Sequence, residues 1–353
     1  NLQNRLFSKL KALGGAPGQG PDLDAAARPG KVSFEQVPFA FRGRVVDQIK
    51  AGVYLPKTGA VQGKAPLVVL APGLNTDMNG LLYVGKTLAS HGYAVAALNF
   101  PFTSADTITA AIEGTGAIPP ANAWYRQPTT VSALIDQVQK RWGTRVDTQR
   151  VGVLGQSLGG YTTTALAGAS LDWPNLVKGC QQLDDPNTVV LNPAIVWQCQ
   201  APKRVVHQTS FRDPRVKVAV AVNPVTNPIF SSRSMAQVSV PMLLIAGMKD
   251  VFAPPVSQQL SAFTGLRQPG SVLAVQKNGT HLSFLDATSN LPKWITGPDQ
   301  PLARTELQGM AKLFFDRHLL GDIGAPVLAP QGNGAFQTGS TPAQSAVLPI
   351  AYP

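Results

Sequence analysis

A serine hydroxyl becomes a useful nucleophile only when a base takes its proton and a third group orients that base. Ser157 stands where such a nucleophile is expected. It occupies the centre of Gly155-Gln-Ser-Leu-Gly159, between an apolar run at 151–154 and a helix-forming segment at 161–169. A strand entering a helix through G-x-S-x-G makes a sharp turn that exposes the serine at the carboxyl edge of a sheet. The hydroxyl then lies at a helix N-terminus, where backbone N–H groups can hold an oxyanion. Gly155 and Gly159 suit a strained turn in which neighbouring backbone comes close.

In such an arrangement the acid and then the histidine follow the serine, each on a loop after a strand. His281 lies in Asn278-Gly-Thr-His-Leu-Ser, just after the apolar run at 271–275, and is the expected base. His318 falls in the last turn of a terminal helix, where compensation of the helix dipole is its expected role. His91 occupies a helix-to-strand turn at the opposite edge, and His207 belongs to a polar insertion. Asp250 follows the apolar run at 242–246 and is the expected acid, placed to hold the imidazole in one tautomer. The end of the preceding strand offers Asn223 instead of a carboxylate, and Asp213 is a weaker alternative within the insertion. Two oxyanion donors are needed. The N–H of Leu158, directly after the serine, supplies one. The other is expected from Ala71-Pro-Gly-Leu-Asn-Thr, where Gly73 allows a sharp turn and the N–H of Leu74 is the donor.

These residues need a scaffold that brings them to one edge. Apolar runs at 67–70, 94–98, 151–154, 216–222, 242–246 and 271–275 are short and nearly all apolar, as strands buried on both faces must be. Helix-patterned segments at 81–90, 131–142, 161–169 and 256–263 separate many of them, and 302–319 reads as a final amphipathic helix. The pattern predicts an α/β fold, a mostly parallel sheet with helices on both faces, in one domain spanning 32–320. Two Val- and Phe-rich stretches, 32–41 and 45–55, fit an antiparallel edge. Residues 171–215 fit neither strand nor helix and read as a cap-like insertion over the carboxyl edge, while the Pro/Gly-rich tail 321–353 wraps the surface or is loosely ordered. Residues 1–31 read as a peripheral helix and linker, with Leu2, Leu6, Phe7, Leu10 and Leu13 opposite Arg5, Lys9 and Lys11.

Composition narrows the partners. The 353 residues carry a net charge of +11, yet only 14% are charged and no run of five basic residues occurs, which argues against nucleic acid. No stretch is apolar for 18 residues, so no spanning helix is expected. Cys180 and Cys199, the two cysteines, can close a loop worth roughly 3 kcal/mol in chain entropy. With a chain that starts at Asn1 and reads as processed, this predicts a disulfide and a secreted or periplasmic protein. Two cysteines and four scattered histidines give a metal cluster little support.

Over 45–319 the motifs resemble those of α/β-hydrolases, in particular the dienelactone-hydrolase-like group that shades into platelet-activating-factor acetylhydrolases and cutinase-like polyester hydrolases. The resemblance rests on Pro72-Gly-Leu-Asn-Thr, the Ser157 motif, Asp250-Val-Phe-Ala-Pro and Gly279-Thr-His281. It implies a triad of Ser157, Asp250 and His281, oxyanion donors at Leu74 and Leu158, and no metal or organic cofactor. Serine where dienelactone hydrolase has cysteine favours ordinary ester hydrolysis. Asn223-Pro-Val-Thr stands where polyesterases place an aromatic clamp. The expectation is a serine carboxylesterase for short- to medium-chain acyl esters, whether small lipids or polyesters. Its rivals are an acyltransferase with the same triad and a non-catalytic protein that docks on anionic membranes through the basic N-terminal face.

Overall fold

A strand that is apolar on both faces is stable only inside a sheet covered on both sides. In the structure, a computed structural model, the central strands of the sheet take this arrangement. The structure describes residues 21–43, 48–117, 124–181, 192–199, 208–286 and 292–328, together with three two-residue strands in the tail. The strands are β1 (Phe34–Phe41), β2 (Ile49–Pro56), β3 (Ala65–Ala71), β4 (Ala94–Leu98), β5 (Val146–Gln156), β6 (Val216–Val222), β7 (Met242–Gly247) and β8 (Val272–Gln276). Their order across the sheet is β1-β2-β4-β3-β5-β6-β7-β8. β1 and β2 form the antiparallel edge, β2 also runs antiparallel to β4, and every pairing from β4 to β8 is parallel.

Alternate residues of each strand supply two separate cores. Val68, Leu70, Leu154 and Val220 face α1 (Leu82–Ser90). Val69 and Val153 face α2 (Gln127–Trp142), and Ala219 and Ala221 meet α3 (Leu158–Leu166) on that same side. The terminal helix α4 (Gln300–His318) covers the first face beside α1. Because α1 links β3 to β4 across one face and α3 links β5 to β6 across the other, the chain changes direction between β3 and β5. A crevice opens at the carboxyl ends of strands at such a switch point. The loops carrying Leu74 and Ser157 flank it.

Several expectations need correction. The insertion is not without regular structure: Trp173–Gln181 and Pro193–Gln198 are helices. The sequence pattern points to no helix at Ala105–Ile112, yet one forms there. It buries none of its residues, so its Ala105, Ile108, Ala111 and Ile112 are not covered by a described core. The helix expected over 256–263 does form, with Val256–Leu260 as π-helix running into an α-helical turn at Ser261–Gly265. Of the N-terminal segment, the basic amphipathic stretch lies outside the described residues. Its end is not peripheral, since Leu23–Ala27 is a helix whose Leu23 joins the core against α4. In the tail, Ile350–Ala351 adds an antiparallel pair to β8.

Candidate active site

β5 delivers Ser157 into a backbone conformation that L residues rarely adopt, φ 57° and ψ −116°, and α3 begins with the next residue. Such strain persists only where the surroundings over-determine it. Here they do. A methyl group at Gly159 would fall on the carbonyl oxygen of Ala71, so α3 can press its first turn against the end of β3 only with glycine there. Gly73, on the loop after β3, also comes close: a Cβ would lie 3.0 Å from Ser157 Cβ and 2.7 Å from Gln156 Oε1. That approach carries the Leu74 amide toward the serine.

His281 bridges the other two groups. Its Nε2 lies 2.8 Å from Ser157 Oγ and its Nδ1 lies 2.7 Å from Asp250 Oδ2. An ionised carboxylate only accepts, so the ring proton belongs on Nδ1 and leaves Nε2 free to accept from the serine hydroxyl. The Asp250 side chain is wholly buried, and its other oxygen accepts from Phe252 N at 2.9 Å and Ala253 N at 2.8 Å. The three groups are 93 residues apart and 31 residues apart along the chain (Ser157 to Asp250, then Asp250 to His281), and the ends of β5, β7 and β8 bring them together.

The two expected oxyanion amides are available. Leu158 is the first residue of α3, so its N–H has no acceptor one turn earlier. Among the described residues neither it nor the N–H of Leu74 donates within the chain. Asn75, in a left-handed conformation (φ 54°), turns the loop at this point and ties it down by donating its N–H to Thr103 O at 2.8 Å. Leu74 and Leu158 both line a cavity of about 790 Å³ that opens onto Ser157 and His281. Val225, Phe252, Leu282 and Leu285 make its walls apolar, and Asp77 and Asp286 also line it.

Two residues that sequence reasoning did not assign hold the histidine loop. Gln156 Nε2 donates to His281 O at 2.9 Å. Asn223 is fully buried, and its Nδ2 donates to Thr280 O at 2.9 Å while its Oδ1 accepts from Gly247 N at 2.7 Å. It thereby joins the ends of β6, β7 and β8 in one side chain. The position draws notice in the sequence as a rival acid site. An amide can donate and accept at once, which a carboxylate cannot, and this junction needs both.

The remaining candidates lie elsewhere. Asp213 is held below the usual carboxylate range: burial alone would raise it, but hydrogen bonds from Arg215 and Ser132 outweigh that. It therefore belongs to a largely buried ion pair with Arg215. His91 Nε2 bonds to Arg28 O at 3.0 Å, and His207 lies outside the described residues. His318 does not compensate the helix dipole as a cation. Burial against Phe314, with Arg317 adjacent, lowers its pKa to about 4, so it is neutral at physiological pH. It packs on Gly270, ahead of β8, at the opposite rim from His281.

Cys180 and Cys199 form a disulfide. Among the described residues no group of three or more His, Cys, Asp or Glu side chains is arranged to hold a metal, and no helix is long and apolar enough to cross a membrane. No protein-family model matches the chain, and no curated protein matches it either.

Proposed function

We propose that this protein is a serine carboxylesterase with the α/β-hydrolase arrangement. The observation that carries the reading is the continuous contact from Asp250 through His281 to Ser157, at 2.7 and 2.8 Å, beside two amides with no partner among the described residues. Ser157 Oγ attacks the ester carbonyl while His281 Nε2 takes its proton. The carbonyl oxygen becomes an oxyanion and accepts from the Leu158 and Leu74 N–H groups, which are already oriented and need no reorganisation. Collapse of the intermediate returns the proton to the departing alcohol and leaves an acyl group on Ser157. Water, deprotonated by His281, then attacks the acyl carbonyl, and the carboxylic acid leaves.

The lining supports uncharged esters with a short to medium aliphatic acyl group. Each methylene placed against apolar walls gains about 0.8 kcal/mol, whereas the Asp77 carboxylate in the lining disfavours anionic substrates; Asp286, also in the lining, is paired with Arg304. The disulfide supports an exported protein, since such bonds persist in oxidising compartments. The test is a panel of p-nitrophenyl esters, with Ser157→Ala as control. Turnover is expected in the wild type and a loss of roughly 10⁴- to 10⁶-fold in the variant. A Ser157→Ala protein that keeps near-wild-type turnover would refute the reading.

A further inference from the structure

One side of the cavity is built by the insertion, through Pro193, Ala194 and Val196. A segment draped over a site can be a moving lid or a standing wall, and the difference lies in what holds it. The helix Pro193–Gln198 is held along its whole length. At its start, Asn192 Oδ1 accepts from Gln258 Nε2 at 3.2 Å. Ala194 N donates to Phe252 O at 3.1 Å, and the Ala194 methyl packs with Val225 and Ala253. At its end, Gln198 is fully buried: Nε2 donates to Asn227 O at 2.8 Å and Oε1 accepts from Ile229 N at 3.0 Å. The next residue, Cys199, is bonded to Cys180 of the neighbouring helix. That helix docks on the same loop, where Asn175 Nδ2 donates to Pro228 O at 2.6 Å.

Both helices are therefore stapled to the loop after β6, which also places Val225 in the cavity. Gln258, fully buried too, accepts from Thr226 N at 2.7 Å and fixes that loop from the β7 side. Swinging the helix away would break both hydrogen bonds of the Gln198 amide and leave the Ile229 N–H without its acceptor, and buried polar groups without partners are rarely tolerated. We propose that Pro193–Gln198 is a fixed wall of the acyl site, and that Val196 sets the length of aliphatic acyl chain the site accepts. This rests on the esterase reading above. Methylenes gain from the apolar lining until the chain meets this helix, so medium-length acyl esters are preferred over both acetate and palmitate esters.

Val196 is 49% exposed, so Val196→Trp can be accommodated by the fold while filling the cavity at the wall. In the wild type, kcat/KM should rise from acetate to octanoate esters and fall again by palmitate. Val196→Trp should lower the octanoate-to-acetate ratio by about tenfold or more, the scale a pocket gives to small changes in chain length. Binding of octanamide, a neutral chain that needs no turnover, should weaken about tenfold in calorimetric titration. Gln198→Ala should loosen the wall and bring octanoate and palmitate rates closer together; should it fail to fold, Val196→Trp alone decides. The proposal is overturned if Val196→Trp keeps both the ester ratio and octanamide binding within about twofold of wild type. Weakened octanamide binding in a protein whose wild type hydrolyses no ester would instead refute the esterase reading and leave the wall standing.

Discussion

The carboxyl rim of the sheet and the two described helices of the insertion are both fastened in place, but by different means. At the rim, backbone is wedged against backbone. Gly159 leaves no room between α3 and the end of β3, Gly73 brings the next loop against Ser157, and the strained φ of 57° at Ser157 survives because nothing around it can yield. In the insertion, two short helices are fastened by the side-chain amides of Gln198 and Asn175 and by one disulfide. Reacting atoms must be placed to within about half an ångström, which crowded backbone can enforce. A wall needs only to stay closed, and hydrogen-bonded side chains suffice for that.

The contrast can be broken by substitution. Gly159→Ala has the largest expected effect: its methyl meets a backbone oxygen that belongs to β3, so α3 or the sheet must shift. We expect a loss of more than about 3 kcal/mol in denaturant unfolding, together with loss of esterase activity. A loss below about 1 kcal/mol would mean that the rim can relax and that crowding is not what holds Ser157. Replacing both Cys180 and Cys199 by serine opens a loop with a sequence separation of 19. It should cost at most about 3 kcal/mol, read as a lower Tm. If the amide staples dominate, the measured cost falls well short of that ceiling.

The smallest effect is expected at the opposite rim. His318 titrates at about 4 in the folded chain and at 6.5 in its ordinary state. Its folded pKa is depressed, so the unfolded chain binds the extra proton first as pH falls. The stabilisation is complete above pH 6.5 and is lost progressively as pH drops toward 4. Thermal melts across that window should show the decline, and His318→Gln, which cannot titrate, should flatten it. An unchanged slope would place the acid sensitivity elsewhere.

Much of the rim was legible because its requirements are local. Apolar runs mark strands buried on both faces, and β3, β4, β6, β7 and β8 lie within a residue or two of those runs. β5 extends further, to Val146–Gln156, since its polar start pairs with Ala65 and Pro66 beyond the covered centre of the sheet. The insertion was opaque for a complementary reason. Pro193–Gln198 has six residues, too few for periodicity to register, and it exists because distant partners such as Asn227 and Ile229 receive its glutamine. Nothing in the spacing of Gln156 or Asn223 reveals that they clasp the histidine loop. His318 looks like a dipole-compensating cation until burial is known, and burial makes it neutral.

The alternation of apolar runs with helical segments, and the order serine, acid, histidine after successive strands, determined the α/β architecture and singled out Ser157, Asp250 and His281. Strand burial and turn chemistry act over a few residues, so they are written where they operate. Tertiary structure alone decided which amides beside the serine lack a partner among the described residues, which buried side chains lock the histidine, and that a helix of the insertion, Pro193–Gln198, lines the cavity. Each of these depends on hydrogen bonds between residues tens of positions apart, whose strength comes from an enclosure that exists only once the chain has folded.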